Sequence, residues 1–206
     1  MTGAVLWYLN RATGLTSLVL MTATLVLGTL VRRHARIPGL PRFAVQGLHR
    51  NVSLLSALLL ITHIATAIVD SYVDIGVSSA VVPFVAGYRP FAVGLGTLAV
   101  DLFLLVLVTS LLRNRLPLRL WKTVHLTSYL LWPLAFVHGI TAGTDLGGGW
   151  LLVLVLGCAV AATWASVAAL ASRRTTPPPG QRAAAALAAT SDALATGSSV
   201  GVFRNG

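Results

Sequence analysis

Four of the five histidines in this 206-residue chain fall inside long apolar stretches. His49 and His63 lie in PRFAVQGLHRNVSLLSALLLITHIATAIVD, and His125 and His138 lie in LPLRLWKTVHLTSYLLWPLAFVHGITAG. Pro41 and Pro117 each stand eight residues before the first histidine of their segment, so the two segments carry imidazoles at nearly the same two depths. Imidazole in hydrocarbon is costly and rare unless it has a partner. A lone histidine in a membrane helix is more often an interhelical hydrogen-bond partner than a ligand. Two matched pairs favour ligands. If both segments are helices running the same way, His49 lies level with His125 and His63 level with His138. At 1.5 Å per residue the two levels are roughly 20 Å apart, which leaves room for two flat macrocycles stacked across a bilayer. Facing helices of a bundle commonly supply such ligands, and histidine is a standard axial ligand to haem iron.

The angular requirement is met in one segment and not in the other. The fourteen residues from His49 to His63 return the chain to within about 40° of the same helix face. The thirteen residues from His125 to His138 leave the second pair about 140° apart on a straight helix. Pro133 lies between them and can kink a helix and shift its phase. The ligand reading therefore predicts a distortion near Trp132 and Pro133.

The elements that must position these residues are membrane helices. The chain is 56% hydrophobic and 10% charged, with a mean hydropathy of +0.83, against about 25% charged residues in a soluble domain. Spanning helices are expected at residues 14–31, from Pro41 to Asp70, over 90–112, in the second histidine segment and over 150–171, each near the ~20 residues a span needs. The first is too long for a signal-peptide core and no A-x-A cleavage site follows it, so it reads as uncleaved. An apolar piece from Ile75 to Ala86, interrupted by Pro83, is too short to span and is expected to cap the outer surface or lie in the interface.

The formal charge of +10 is placed as a topology signal rather than a nucleic-acid surface. Arg32, Arg33, Arg36, Arg42 and Arg50 sit between the first and second runs, and Arg113, Arg115, Arg119 and Lys122 between the third and fourth. Arg173 and Arg174 follow the fifth. The alternate connections hold Asp70, Asp74 and Asp145, with Arg89 their only basic residue. This is the positive-inside pattern. It predicts a multi-pass cell-membrane protein with its N-terminus outside and its C-terminus cytoplasmic, some basic residues meeting anionic lipid heads. Residues 1–171 are expected to form the membrane domain and 172–206 a disordered cytoplasmic tail with one short Ala-rich helix. His34, in the basic stretch RRHAR, reads as solvated, and the single cysteine, Cys158, says nothing of redox compartment.

The spacing H-x13-H followed by H-x12-H resembles the ferric reductase-like transmembrane domain, the superfamily of NADPH oxidases, ferric reductases and the haem membrane subunit of bacterial methionine sulfoxide reductase systems. NRATGL, LHRNVSLLSALLLITHIAT, TSLLRNR and LWKTVHLTSYLLWPLAFVHG fit as well, so the resemblance covers roughly residues 7 to 143. It implies an all-α, five-helix bundle enclosing two stacked b-type haems that pass electrons across the bilayer. His49 and His125 would hold the cytoplasmic-side haem, and His63 and His138 the outer one. The sequence departs from the oxidase and eukaryotic reductase pattern in carrying no flavin or nicotinamide domain, and it is one helix short of the usual six at the N-terminus. Electrons are then expected from a separate flavoprotein, a free flavin or a quinol. The closing FRNG resembles the lead-in to small FMN-binding domains.

Haem propionates need cationic or hydrogen-bonding partners. Arg50, Arg119 and Lys122 are at the right end for the inner haem, and Arg11 and Arg89 for the outer one; all five could equally be interfacial anchors. Asp101, the one acid inside a span, is a candidate for a proton relay or for a histidine's second ring nitrogen, against a plain hydrogen bond to a neighbouring helix. Trp121 and Trp150 fit interfacial belt positions, and Trp132 is expected to pack or to line a haem. The leading expectation is a di-haem electron-transfer protein, an oxidoreductase component whose acceptor is ferric iron, oxygen or a partner flavoprotein. The alternatives are a quinol-oxidising haem subunit of an extracytoplasmic reductase, and a transporter that relays protons through the histidines and Asp101.

Overall fold

The computed structural model describes residues 2–33, 39–70, 75–143, 149–174 and 179–200. His34, Arg36, Asp74, Asp145 and the closing FRNG, on which expectations were placed above, lie outside them. The described residues form helices α1 (Thr2–Arg32), α2 (Arg42–Val69), α3 (Pro90–Leu111), α4 (Leu118–Leu126), α5 (Ser128–Ala142), α6 (Trp150–Arg174) and α7 (Pro179–Val200). No strand occurs among them. Four helices, over Gly3–Arg32, Arg42–Val69, Pro90–Leu111 and Trp150–Ala171, are long and apolar enough to cross a membrane.

Prolines open four of the elements, α7 at Pro179 among them. Pro41 and Pro117 stand at the N-caps of α2 and α4, and Pro90 is the first residue of α3, places where the missing N–H has no helical partner to lose. Hydroxyls inside the helices turn back on their own carbonyls, as Thr22 does to Leu18 at 2.8 Å and Ser53 to His49 at 2.7 Å. That satisfies both groups where no water is at hand.

The second histidine segment is two helices, and the break is not where the proline suggested. Pro133 lies inside α5, and the interruption falls at Thr127, two residues after His125. The hydroxyls of Thr127 and Ser128 donate to the carbonyls of Val124 and His125, each at 2.7 Å. An unbroken helix would give those two carbonyls to the backbone N–H groups of Ser128 and Tyr129. The backbone tightens there, with Thr127 N–H on Val124 O at 2.9 Å and Leu130 N–H on Thr127 O at 2.9 Å. Three-residue bonds turn the chain by about 120° per residue instead of 100°, which reduces the 140° mismatch between His125 and His138.

The chain forms two compact units, Met1–Ala168 and Ala169–Gly206. In the first, α1 packs along α2 and α3 along α5, and the two pairs meet through α1 and α5. Leu18, Met21 and Leu25 of α1, Leu131 and Trp132 of α5, and Cys158, Ala162 and Ala165 of α6 make the buried core. The Trp132 indole N–H donates to Thr22 Oγ1 at 2.8 Å inside it, so Trp132 packs. The connection before α3 makes a short 3-10 turn, Val77–Ala80, tied down where Thr97 Oγ1 donates to Ser79 O at 2.6 Å. Phe84, at φ 67°, lays its ring against Gly94. In the second unit, the expected tail carries the 22-residue α7, whose side chains are exposed throughout 183–194.

Replacing Trp132 by alanine leaves a cavity between α1, α5 and α6 and strips Thr22 of its donor. The expected loss is about 3 kcal/mol of stability, read as a lowered Tm in detergent; a Trp132→Phe variant should keep the larger part.

Candidate functional site

The fold sets the four histidines in two facing pairs. The rings of His49 and His125 have centroids 6.2 Å apart, and those of His63 and His138 are 6.3 Å apart. The first contact joins α2 to α4 and the second joins α2 to α5. Two imidazoles that share one metal, with bonds of about 2 Å on each side, place their ring centres about 6 Å apart. Both pairs meet that spacing.

The second ring nitrogens are held as well. His63 Nδ1 lies 2.9 Å from Asn10 O, His49 Nδ1 lies 3.0 Å from Thr24 O, and His138 Nδ1 lies 2.8 Å from Ala92 O. A carbonyl only accepts, so each of these Nδ1 atoms carries the proton and leaves Nε2 with its free lone pair. Metal-ligating histidines are normally oriented in this way, by an acceptor on the nitrogen that does not bind the metal. His125 differs: its Nδ1 is 3.3 Å from Ser110 Oγ, and its ring stacks on Trp121 with centroids 5.0 Å apart.

Such close approach to a helix backbone requires the absence of a side chain. A methyl group at Gly14 would come within 2.8 Å of the His63 ring, one at Gly28 within 3.1 Å of His49, and one at Gly96 within 2.7 Å of His138. In each case the glycine follows the accepting carbonyl by four residues, so one turn of helix supplies both acceptor and space. The glycines of α1 are fourteen residues apart, like the histidines of α2 that they face, and Ser110 follows Gly96 by the same interval. Sequence reasoning missed Gly14, Gly28, Gly96 and Ser110. The repeated interval was the signal that could have found them.

A cavity of about 410 Å³ runs beside His63 and His138, lined by Gly14 and Gly96 and by Arg11, Asp70, Tyr88 and Arg89. Arg89 donates to the carbonyls of Thr141 and Ala142 at 2.9 and 3.4 Å, capping the end of α5. The Arg11 guanidinium lies over Trp7, 5.1 Å from the ring centre. Arg50, Arg119 and Lys122 are exposed at the opposite end of the bundle. Asp101 is exposed on α3, away from the ring nitrogens, which the carbonyls and Ser110 occupy.

A family model described as the ferric reductase like transmembrane component matches residues 13–136. The chain belongs to the ferric reductase-like family. No curated protein and no solved structure matches it significantly. Ferric reductase-like domains generally bind haem and serve membrane electron transfer. The matched stretch takes in His49, His63 and His125 and stops two residues short of His138, so His138 joins the site on geometry. No cluster of three or more His, Cys, Asp or Glu side chains that could hold a metal occurs among the described residues. A pair of imidazoles suits an iron whose remaining ligands come from a macrocycle.

In this ferric reductase-like chain, Gly14→Ala and Gly96→Ala should each push one histidine ring out of place and weaken haem retention about tenfold. Gly28→Ala, with its wider contact, should keep more haem. Pyridine haemochrome content per chain measures all three.

Proposed function

We propose that this ferric reductase-like chain is a di-haem electron-transfer protein, with one b-type haem between His49 and His125 and a second between His63 and His138. The observation that carries the reading is the repeated ring separation of 6.2 and 6.3 Å in an apolar bundle. Haem iron bound there would supply one-electron redox chemistry. The chain's own part is orientation. Three backbone carbonyls fix the Nδ1-protonated tautomer, the facing glycines let the rings lie flush with α1 and α3, and the Leu18–Trp132 core excludes water between the two levels.

The charge distribution supports a direction. Arg32, Arg42, Arg50, Arg113, Arg115 and Arg119 are exposed at the His49/His125 end of the bundle, and Asp70 lines the cavity at the other. By the positive-inside rule the basic end is cytoplasmic and the N-terminus outside. Electrons then enter at the His49/His125 level from a separate flavoprotein or a quinol, and leave from His63/His138 to ferric iron, oxygen or a partner flavoprotein. Arg11 and Arg89, beside the cavity, and Arg50 and Arg119, at the basic end, are the cations we assign to the propionates. A proton relay is less well supported, since Asp101 is exposed on α3 and is not aligned with the histidines.

Purified protein from haem-replete cells should be red and give close to two b haems per chain by pyridine haemochrome. His49→Ala and His125→Ala should each remove the same haem and leave the other spectrally intact. A colourless wild-type preparation sinks the reading, and loss of different haems by the two variants overturns the pairing.

A further inference from the structure

Three of the four histidines are held alike, and His125 is held in its own way. Where His49, His63 and His138 give their Nδ1 proton to a helix carbonyl at 2.8–3.0 Å, His125 has only the Ser110 hydroxyl at 3.3 Å. Its ring lies against Trp121, one helical turn earlier, at 24° between planes. The Arg113 guanidinium lies over the same indole, 4.7 Å from its centre. The indole Nε1 is buried with no hydrogen-bond partner, so stacking between Arg113 and His125, not hydrogen bonding, accounts for the position of Trp121. A guanidinium over an aromatic face is an attractive arrangement in its own right.

We infer that Arg113 and Trp121 are positioning residues that make the His49/His125 haem the more readily reduced of the two; this rests on the two-haem reading above. Two effects act in the same direction. Reduction from Fe(III) to Fe(II) removes one positive charge from the site, so a fixed cation nearby favours the reduced form. A carbonyl that accepts the Nδ1 proton makes an imidazole a stronger donor to ferric iron, and the Ser110 hydroxyl, at its longer distance, does this weakly. At the other level both histidines have the carbonyl, and the cations beside that cavity, Arg11 and Arg89, are accompanied by the Asp70 carboxyl. The stack also holds the His125 ring in place just before the turn at Thr127, where helix hydrogen bonding is broken.

The test is a potentiometric titration of the haem-loaded full chain with dithionite, followed in the visible haem bands. The two components are assigned with His138→Ala, which leaves only the His49/His125 haem. Wild type should show two components, the higher-potential one belonging to His49/His125. Arg113→Gln should lower the equilibrium constant for reducing that component by about tenfold without moving the other, and Arg113→Lys should restore most of it. Trp121→Leu should shift the same component downward, and because Arg113 is exposed its variants keep the test available if Trp121→Leu fails to fold. A haem-loaded Arg113→Gln protein in which neither component moves, both move equally, or the His63/His138 component moves overturns the inference and leaves the two-haem reading standing. A protein without haem overturns that reading instead.

Discussion

An imidazole N–H buried in an apolar bundle must find an acceptor, and in a helix bundle nearly every acceptor is a backbone carbonyl already engaged within its own helix. A ring that shares such a carbonyl has to lie almost against the helix that carries it. Only a residue without a Cβ leaves room one turn on, and Gly14, Gly28 and Gly96 stand in those positions. The packing of α1 along α2 and of α3 along α5 follows from this requirement. Each pair of helices is held at the distance at which a histidine of one can reach the backbone of the other. With the Nδ1 side of each ring fixed to its neighbour, the Nε2 side is left for the gap between α2 and the α4–α5 segment.

The remaining polar groups divide the bundle into two different ends. Arginines and a lysine crowd the end near His49, on the edges of α2, α3 and α4. The opposite end is closed by hydrogen bonds: Asn10 Nδ2 to His63 O at 2.8 Å and to Thr66 Oγ1 at 3.1 Å, and Arg89 to the last carbonyls of α5. One end therefore presents charge and the other absorbs it. Asp101 belongs to neither, since it is exposed midway along α3.

Much of this was legible in the sequence because the signals are rare. Charges are scarce in spans, so the helix limits from Pro90 to Leu111 and from Trp150 to Ala171 could be read from where charge and proline resume. Histidines are scarcer still, and their spacing was enough to suggest the pairs. The break at Thr127 was hidden for the opposite reason. Serine and threonine are common in membrane helices, where they mostly bond back without consequence, and nothing marks Thr127 and Ser128 apart from Thr22 or Thr62 except that they are adjacent. Proline is the louder residue, yet Pro133 is exposed on the outside of α5 and the helix passes through it. The three glycines were concealed by abundance, being three among nineteen, and only the three-dimensional pairing singles them out. The stack on His125 was invisible because Arg113 and Trp121 belong to different elements and looked like ordinary interfacial residues.

The division of labour among the helices has a consequence for assembly. α2 carries two of the four paired histidines and rests on α1, while α5 carries one of the other two and rests on α3 and α1. Each hairpin can therefore enter the bilayer and close on itself with its imidazoles already held from within, three by backbone carbonyls and His125 by the Ser110 hydroxyl. Between α2 and the α4–α5 segment stand the facing rings, His49 against His125 and His63 against His138. Completion of the bundle is then a docking of α5 on α1, with the core of Leu18, Met21, Leu131 and Trp132 between the two pairs and the histidine rings brought level by that contact.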